Sequence, residues 1–255
     1  MMRIVVFSDL DGTLLDHDTY SYEAALPALD LLKSRDIPVV LASSKTAAEM
    51  AELHQSLDLG AAPAIVENGA GLLDLSPGAR MDDSAYREIR DVLKEAPEGF
   101  CGFGDMQLDE VAQITGLSLA GASLAKMRCF SEPGIWNGSD EGEAGFVDWL
   151  KSRGIQARRG GRFLTLSHGR TKADAMAEVA TNLGADVTIA LGDAPNDTEM
   201  LSQADYAVII RNDHGTDLPP LRNEPSPRVI RMQQSGPSGW NTAIHQILND
   251  ITEVD

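Results

Sequence analysis

The chain has 255 residues, 43% of them hydrophobic, and a formal net charge of −18 at pH 7. This length and apolar content allow one large domain, or two modest ones, with a substantial core. A strongly negative field repels nucleic acid and anionic lipid surfaces, so we expect neither as a partner.

Two further observations bear on where the chain functions. No run approaches the roughly 18 apolar residues of a membrane span, and the first residues do not resemble a signal peptide. Cys101 and Cys129 lie in no C-x-x-C or zinc-binding pattern. We therefore expect a cytoplasmic protein, and the sequence contains no pattern that indicates an oligomeric state.

The first third of the chain alternates apolar strand-like runs with amphipathic segments of helical length. Strands are predicted at 4–8, 38–42 and 64–67, and helices at 22–35 and 46–59. Such alternation is typical of a parallel sheet with crossover helices.

The alternation breaks near Pro77-Gly78 and Asp82-Asp83. The following stretch mixes helices with short strands. The helices are predicted at 85–95, 108–115, 119–127 and 143–153, and the strands at 127–131 and 162–167. This mixture indicates an α+β unit, or cap, inserted at 84–167 into a core domain formed by 1–83 and 168–255.

The regular alternation resumes after the insert. The predicted elements are a helix at 172–183, strands at 187–191, 206–210 and 229–232, and helices at 198–204 and 240–251. We therefore predict an α/β fold, with a Rossmann-like parallel-sheet core domain and an inserted α+β cap domain.

Carboxylates follow two of the predicted core strands. Asp9 and Asp11 end the first strand, and Gly192-Asp193-Ala194-Pro195-Asn196-Asp197 ends the strand at 187–191. Each segment alone is also compatible with an acidic turn. Together, at the ligand-binding edge of one parallel sheet, they form a cage of oxygen atoms. Such a cage suits a hard divalent cation, and Mg²⁺ is the usual one near phosphate.

Hydroxyl and ammonium groups occur at matching places. Ser43-Ser44-Lys45 follows the second strand, where a hydroxyl and the next helix's amides can donate to a phosphoryl oxygen. Either serine is equally suited to cap that helix. Lys172 opens the helix after the insert. It can balance the carboxylates and a phosphate, although many lysines are simply solvated.

In this order, Asp9-Leu10-Asp11-Gly12-Thr13, Ser43, Lys172 and Gly192-Asp193-x-x-Asn196-Asp197 resemble the four motifs of the haloacid dehalogenase superfamily. The insert resembles that superfamily's larger α/β cap. Within it, Ser43-Ser44-Lys45-Thr46, Glu67-Asn68-Gly69-Ala70 and Gly236-Pro237-Ser238-Gly239-Trp240 are similar to the mannosyl-3-phosphoglycerate phosphatases. Many relatives with this cap type have Thr-Gly-Arg in place of Ser43-Ser44-Lys45.

The resemblance implies a role for each core residue. Asp9 is the nucleophile that forms an aspartyl phosphate, and Asp11 is the general acid and base. Ser43 and Lys172 hold the phosphoryl oxygens. Mg²⁺ is held by the Asp9 side chain, the Asp11 carbonyl and Asp193. The last two metal-site residues, Asn196 and Asp197, orient that shell.

A glycosyl phosphoglycerate carries a carboxylate as well as a phosphate, so its outer pocket needs a cation. Lys45 and Arg162 are the candidates for that charge. Arg158 and Arg159 are interpreted as a basic turn on the cap surface. The other predicted substrate-binding residues are Ser44, Glu67 and Asn68, the last two through sugar hydroxyls, although Asn68-Gly69 is equally compatible with a turn.

The sequence thus predicts a Mg²⁺-dependent phosphatase of mannosyl-3-phosphoglycerate that releases mannosylglycerate, a compatible solute. Its partner is a small phosphorylated glycoside. Alternatives with the same chemistry are a phosphatase of glucosyl-3-phosphoglycerate, sucrose phosphate or another sugar phosphate, and a phosphomutase. A different class is a phospho-acceptor module such as a receiver domain, which lacks an inserted cap.

Overall fold

A computed structural model of the chain describes residues 2–75, 81–215, 218–222 and 224–254. The expected break at Pro77-Gly78 lies outside the described residues. By their internal contacts the residues form two compact units. The core unit comprises Met1–Ser43, Leu57–Ile65 and Lys172–Asp255, and the insert unit comprises Ser44–Ser56 and Val66–Thr171. Compared with the predicted boundaries, this division assigns 44–56, 66–83 and 168–171 to the insert unit instead of the core.

The described residues form strands and α-helices, each numbered in chain order. The strands are β1 Ile4–Ser8, β2 Val39–Leu41, β3 Ala64–Val66, β4 Gly71–Leu73, β5 Phe100–Gly102, β6 Ser131–Trp136, β7 Gln156–Gly160, β8 Phe163–Ser167, β9 Val187–Gly192, β10 Tyr206–Arg211 and β11 Val229–Ser235. The helices are α1 Leu26–Ser34, α2 Ala47–Ser56, α3 Ser84–Leu93, α4 Leu108–Thr115, α5 Leu119–Ala125, α6 Asp140–Lys151, α7 Lys172–Leu183, α8 Thr198–Gln203 and α9 Gly236–Val254.

The core unit is built on a parallel sheet with the strand order β11-β10-β9-β1-β2. Its inner strand β1 pairs with both β2 and β9, and Ser8 lies opposite Leu41 on one side and Leu191 on the other. Strands buried on both faces need continuous apolar runs, which is what β1, β2 and β10 contain. The predicted α/β fold with a parallel-sheet core is confirmed.

Helix α9 closes the hydrophobic core of this unit. Trp240, Ile244 and Ile247 are fully buried, and the helix contacts α1, β10 and β11. The Trp240 indole N–H donates a 2.9 Å hydrogen bond to the Ser8 hydroxyl, which donates at 2.7 Å to the Asp9 carbonyl. The segment 236–240 thereby braces the end of β1.

The insert unit contains an antiparallel sheet with the order β5-β6-β8-β7. Leu164 and Leu166 of β8 pack with Ile89 of α3 and with Phe146 and Leu150 of α6. A second apolar cluster joins α4 and α5 to the segment after β5. Successive strand residues point to opposite faces, so Thr165 and its partner Arg158 lie on the face away from α3 and α6.

One strand of the insert is displaced from its predicted place. The prediction of a strand at 127–131 is wrong, because β6 begins only at Ser131. The true position of β6 was not predicted because it contains Pro133 and Gly134, which disfavour strands. In the preceding segment, Cys129 N and Phe130 N donate to the Glu67 carboxylate rather than to a neighbouring strand.

Within the described residues, each helix is too short or too polar to cross a membrane.

Candidate active site

The ends of β1 and β9 bring two acidic segments of the core unit together. Asp9 N donates a 2.9 Å hydrogen bond to the Leu191 carbonyl, which continues the parallel pairing just past the strands. Asp9, Asp193 and Asp197 are all buried, and ligand oxygens of the three carboxylates lie within 4.8 Å of one another. The sheet topology therefore brings Asp9 together with Asp193 and Asp197, which lie at least 184 positions later in the chain.

Lys172 enters this cluster from the first turn of α7. Its Nζ donates to Asp9 Oδ1 at 2.6 Å and to Asp197 Oδ1 at 2.7 Å. Only 1% of the lysine side chain is exposed. Burial alone lowers the pKa of Lys172, but the adjacent Asp197 and Asp9 carboxylates outweigh it and raise the pKa, so the ammonium stays charged.

Asp193 is held by two residues that the sequence analysis missed. Thr13 Oγ1 donates to Asp193 Oδ1 at 2.6 Å, and Asn212 Nδ2 donates to Asp193 Oδ2 at 2.7 Å. Thr13 belongs to the first acidic motif. Asn212 directly follows β10, the strand beside β9, so its place at a neighbouring strand end was the available signal.

Backbone geometry also shapes this corner. Gly12 has φ +85°, and a Cβ there would lie 2.8 Å from Asp193 Oδ2. Any larger residue would combine left-handed strain with a clash against the carboxylate. Glycine is therefore required for the turn that brings Thr13 to Asp193.

Asp197 serves a different purpose from the other two carboxylates. Its Oδ2 accepts hydrogen bonds from Asp193 N and Ala194 N, both at 3.2 Å, while its Oδ1 accepts from Lys172. These partners suit a residue that orients Lys172 and the 193–194 turn. The three-carboxylate cluster does not include Asp11, and the predicted contacts of Asp11 and Asn196 to a metal stay predictions.

The charge and the donor atoms of the cluster suit a divalent cation. Three buried carboxylates face the single positive charge of Lys172. Burial raises the pKa of Asp9, and burial with the Asp197 charge raises the pKa of Asp193 to about 6, partly opposed by Thr13. Such excess negative charge in a poorly solvated site favours a bound cation. The oxygen-only donor set fits Mg²⁺.

The serine–lysine segment after β2 is divided between the two units. Ser43, in the core unit, is 1% exposed, and its N–H donates to the Ile65 carbonyl at 3.0 Å. Ser44 and Lys45 belong to the insert unit. There Lys45 O accepts a 2.9 Å hydrogen bond from Glu67 N.

Glu67 and Asn68 occupy a short 3₁₀ turn with unusual backbone angles. Their φ values are +52° and +59°, in the left-handed region that non-glycine residues rarely adopt. The buried Glu67 carboxylate accepts hydrogen bonds from Cys129 N, Phe130 N and Ser131 Oγ, and it pairs with Arg128. A sugar hydroxyl at Glu67 would compete with these donors.

The basic run of the insert is spread over a hairpin. Arg158 lies in β7 opposite Thr165, whereas the Arg159 guanidinium pairs with Glu143 of α6. Arg162 lies in the connection between β7 and β8, exposed, with its guanidinium 5.4 Å from the Phe163 ring centre. The prediction of a basic turn at Arg158 and Arg159 is wrong, because both residues pair with β8 as part of strand β7.

Comparison with known proteins agrees with this architecture. The profile of the haloacid dehalogenase-like hydrolases matches residues 6–106 and 151–216, more than half of the chain. Among solved structures, the phosphatase BT1666 from Bacteroides thetaiotaomicron is 18% identical, covers 96% of this chain and 95% of its own, and has a TM-score of 0.68.

Two further structures have similar folds. The sucrose-phosphatase of Synechocystis sp. PCC6803, solved with sucrose and phosphate, is 15% identical over 96% of this chain and 98% of its own, with a TM-score of 0.64. The subclass IIB sugar phosphatase BT4131 is 16% identical over 95% and 98%, with a TM-score of 0.63. At these identities they support the fold alone. On the profile match, the chain belongs to the haloacid dehalogenase-like hydrolase family.

Proposed function

We propose that the protein is a Mg²⁺-dependent phosphatase that works through an aspartyl phosphate on Asp9. The observation that carries this proposal is the Lys172 ammonium, buried between Asp9 and Asp197 at the strand ends. A hydrolase of this family with a charged lysine against a buried aspartate has the parts needed to bind and transfer a phosphoryl group.

Each residue has a defined task in this mechanism. Asp9 attacks phosphorus, the bond to the leaving oxygen breaks, and Asp11 protonates that oxygen. Asp11 then takes a proton from the water that hydrolyses the aspartyl phosphate, which restores both residues. Lys172 and Ser43 stabilise the charge on the phosphoryl oxygens.

The carboxylates of Asp9 and Asp193 would hold Mg²⁺, which would neutralise charge on the phosphoryl group. Thr13 and Asn212 fix the orientation of Asp193 for that task, and Asp197 fixes Lys172. Such supporting hydrogen bonds contribute strongly to metal affinity in other proteins.

For the substrate, we propose mannosyl-3-phosphoglycerate. The support is the similarity of Ser43-Ser44-Lys45-Thr46, Glu67-Asn68-Gly69-Ala70 and the 236–240 segment to that group of phosphatases. Solved relatives of the same fold include a sucrose-phosphatase and a sugar phosphatase. Lys45 and Arg162 would bind the carboxylate, and Ser44 and Asn68 the polar groups beside it.

The test is phosphate release from a substrate panel, each member with Mg²⁺ and with EDTA. The panel is mannosyl-3-phosphoglycerate, glucosyl-3-phosphoglycerate, mannose 6-phosphate, sucrose 6-phosphate and 4-nitrophenyl phosphate. We expect Mg²⁺-dependent turnover with a strong preference for the mannosyl compound. Preference for another member would contradict mannosyl-3-phosphoglycerate as the substrate, but it would agree with the proposed phosphatase reaction.

The nucleophile is tested with Asp9→Asn. We expect a fall in kcat of at least about 10³-fold, because the covalent step is lost, with an unchanged circular dichroism spectrum. Full activity of the purified variant would contradict the covalent mechanism. Stable phosphorylation of Asp9 without turnover of any panel member would indicate a phospho-acceptor or a mutase instead.

A further inference from the structure

A buried ion pair of the insert unit lies against the turn that follows Ser43. Arg128 and Glu67 have side-chain exposures of 6% and 0%, and Arg128 Nε lies 3.2 Å from Glu67 Oε2. Neither the predicted catalytic residues nor the predicted metal ligands include Arg128. A buried ion pair is expensive unless its remaining hydrogen-bonding groups are satisfied, so the partners of these two residues indicate what the pair does.

The partners of Glu67 form one continuous segment. Cys129 N donates to Glu67 Oε1 at 2.8 Å, and Phe130 N and Ser131 Oγ donate to Oε2 at 3.2 and 2.7 Å. Arg128 Nη2 donates to the same Ser131 hydroxyl at 2.7 Å, and Arg128 Nε donates to Ser131 O at 3.3 Å. The pair therefore fixes the entry to β6 against the turn at 67–69.

The pair also reaches the segment after Ser43 from two sides. Arg128 Nη1 donates to the Ser44 carbonyl at 3.3 Å, and the backbone N–H of Glu67 donates to the Lys45 carbonyl at 2.9 Å. Thr46 Oγ1, the next residue, donates to Leu124 O at 3.0 Å. Three successive residues of this turn are thus held by hydrogen bonds from separate parts of the insert unit.

Holding Glu67 in this place requires an unfavourable backbone. Glu67 and Asn68 both have positive φ, and such non-glycine residues persist only where surrounding contacts impose them. Strain of this kind clusters at ligand sites because it keeps groups in place before a ligand binds. The buried contacts of the Glu67 carboxylate are the contacts that impose it.

From these observations we propose that the Glu67–Arg128 pair is a positioning device that presets the Ser44–Lys45 turn for the part of the substrate beyond its phosphate. The inference rests on the proposed function, since it assigns Ser44 and Lys45 to substrate binding. It gives Glu67 a different task from the sugar contact expected from the sequence. Arg128 is a positioning residue that acts through the turn.

The test compares Arg128→Ala, Arg128→Lys and Glu67→Gln with wild type. Kinetics with mannosyl-3-phosphoglycerate and 4-nitrophenyl phosphate give a specificity ratio, the quotient of the two kcat/KM values. We expect Arg128→Ala and Glu67→Gln to lower this ratio at least tenfold, mainly through a higher KM for the glycoside. Arg128→Lys keeps the charge and should restore part of the ratio.

A matched control separates positioning from general stability. Glu132 is another fully buried glutamate of the insert unit, and its Oε1 accepts hydrogen bonds from Arg90 Nη1 at 2.9 Å and from Gly104 N at 2.7 Å. Glu132→Gln should lower the melting temperature without changing the ratio by more than twofold. An unchanged ratio in Arg128→Ala, or an equal change in Glu132→Gln, would overturn the proposal.

Hydrogen exchange by mass spectrometry provides a readout that needs no turnover. Peptides covering 43–50 should exchange faster in Arg128→Ala and Glu67→Gln than in wild type or Glu132→Gln. Exchange at the wild-type rate would refute positioning of the turn, whatever the activity. Wild-type protein that releases phosphate from no panel member would instead refute the proposed function, and with it the role in substrate binding.

Discussion

At the scale of single residues, the site is governed by the balance of buried charge. Lys172 is the one ammonium in contact with the Asp9 and Asp197 carboxylates among the described residues. Removing one partner of a buried ion pair leaves an uncompensated charge and typically costs about 3–5 kcal/mol. The lysine should therefore support stability as well as catalysis.

Lys172→Met tests the contribution of this lysine to stability. In EDTA we expect a loss in the free energy of unfolding of about 3–5 kcal/mol, measured by urea denaturation. Saturating Mg²⁺ should recover part of the loss, because it supplies the missing positive charge. The control is Lys33→Met, whose exposed pair with Asp58 should leave the urea midpoint nearly unchanged. Equal midpoints for the two variants would contradict the argument.

Asn212 is a second single residue with a testable effect, because it should strengthen the binding of Mg²⁺. Its amide donates to Asp193 Oδ2, while its Oδ1 accepts from His214 N at 2.8 Å and Gly215 N at 2.7 Å, so the amide orientation is fixed. Asn212→Ala should weaken Mg²⁺ binding about 10–100-fold, the usual cost of losing such a supporting contact.

Isothermal titration calorimetry with MgCl₂ gives this affinity without any turnover. His214→Ala is the matched control, because this side chain belongs to the same loop and stacks on His17 rather than contacting Asp193. We expect the control to bind Mg²⁺ within twofold of wild type. Wild-type affinity in Asn212→Ala would show that Thr13 alone is sufficient to orient Asp193.

At the scale of elements, the hairpin of β7 and β8 offers a direct test of substrate recognition. Arg162 follows Gly161, which has φ +57°, in the connection between the strands. If its guanidinium binds the substrate carboxylate, Arg162→Ala loses a charge-assisted hydrogen bond of about 1.5–3 kcal/mol. The KM for mannosyl-3-phosphoglycerate should then rise about 10–100-fold, and that for 4-nitrophenyl phosphate far less.

Arg159→Ala is the natural comparison for Arg162→Ala. It removes an arginine from the same hairpin, but one whose guanidinium pairs with Glu143. We expect little change in KM for either substrate. Equal effects of Arg162→Ala on both substrates would remove this arginine from carboxylate recognition.

The elements also show how far sequence reasoning reaches. Strands β1, β2 and β10 were predicted because each contains a compact apolar run, and α7 was predicted at 172–183, as observed. In the insert, β7 escaped prediction because an edge strand of sequence Gln-Ala-Arg-Arg-Gly is largely exposed and has no apolar run to reveal it. Antiparallel pairing, rather than local composition, defines that strand.

The same distinction applies to the site. Asp9, Asp193 and Asp197 were predicted because they follow core strands, and Lys172 was predicted from its place in the order of the motifs. The supporting contacts were not, because they join residues distant in sequence: Glu67 meets Ser131 over 64 positions, and Thr13 meets Asp193 over 180. No local period or spacing encodes which polar side chain lies opposite another in the folded chain.

At the scale of the whole molecule, the excess of acidic residues should lower the stability of the fold at low salt. The chain has 39 Asp and Glu against 21 Lys and Arg. Like charges on a compact surface repel one another, and this repulsion favours the expanded unfolded chain. Salt shortens the range of repulsion, from about 30 Å at 0.01 M to about 8 Å at 0.15 M.

Added NaCl should therefore stabilise the protein even without Mg²⁺. If screening recovers about 1 kcal/mol, the melting temperature should rise by about 2–4 °C for a chain of this size. Differential scanning calorimetry in EDTA, at 0.02 and 0.3 M NaCl, measures the shift. Because EDTA removes divalent cations, a rise cannot come from a divalent cation bound in the carboxylate cluster.

A charge-altered variant shows whether repulsion is the cause. Glu95 and Glu98 are exposed in the insert unit, whereas the carboxylate cluster belongs to the core unit. Glu95→Lys combined with Glu98→Lys reduces the negative excess, so its melting temperature at low salt should be higher and its salt-induced shift smaller than in wild type. An identical shift in both proteins would show that salt acts through general exclusion from the surface rather than by screening charge. The acidity would then have no part in the stability of the fold.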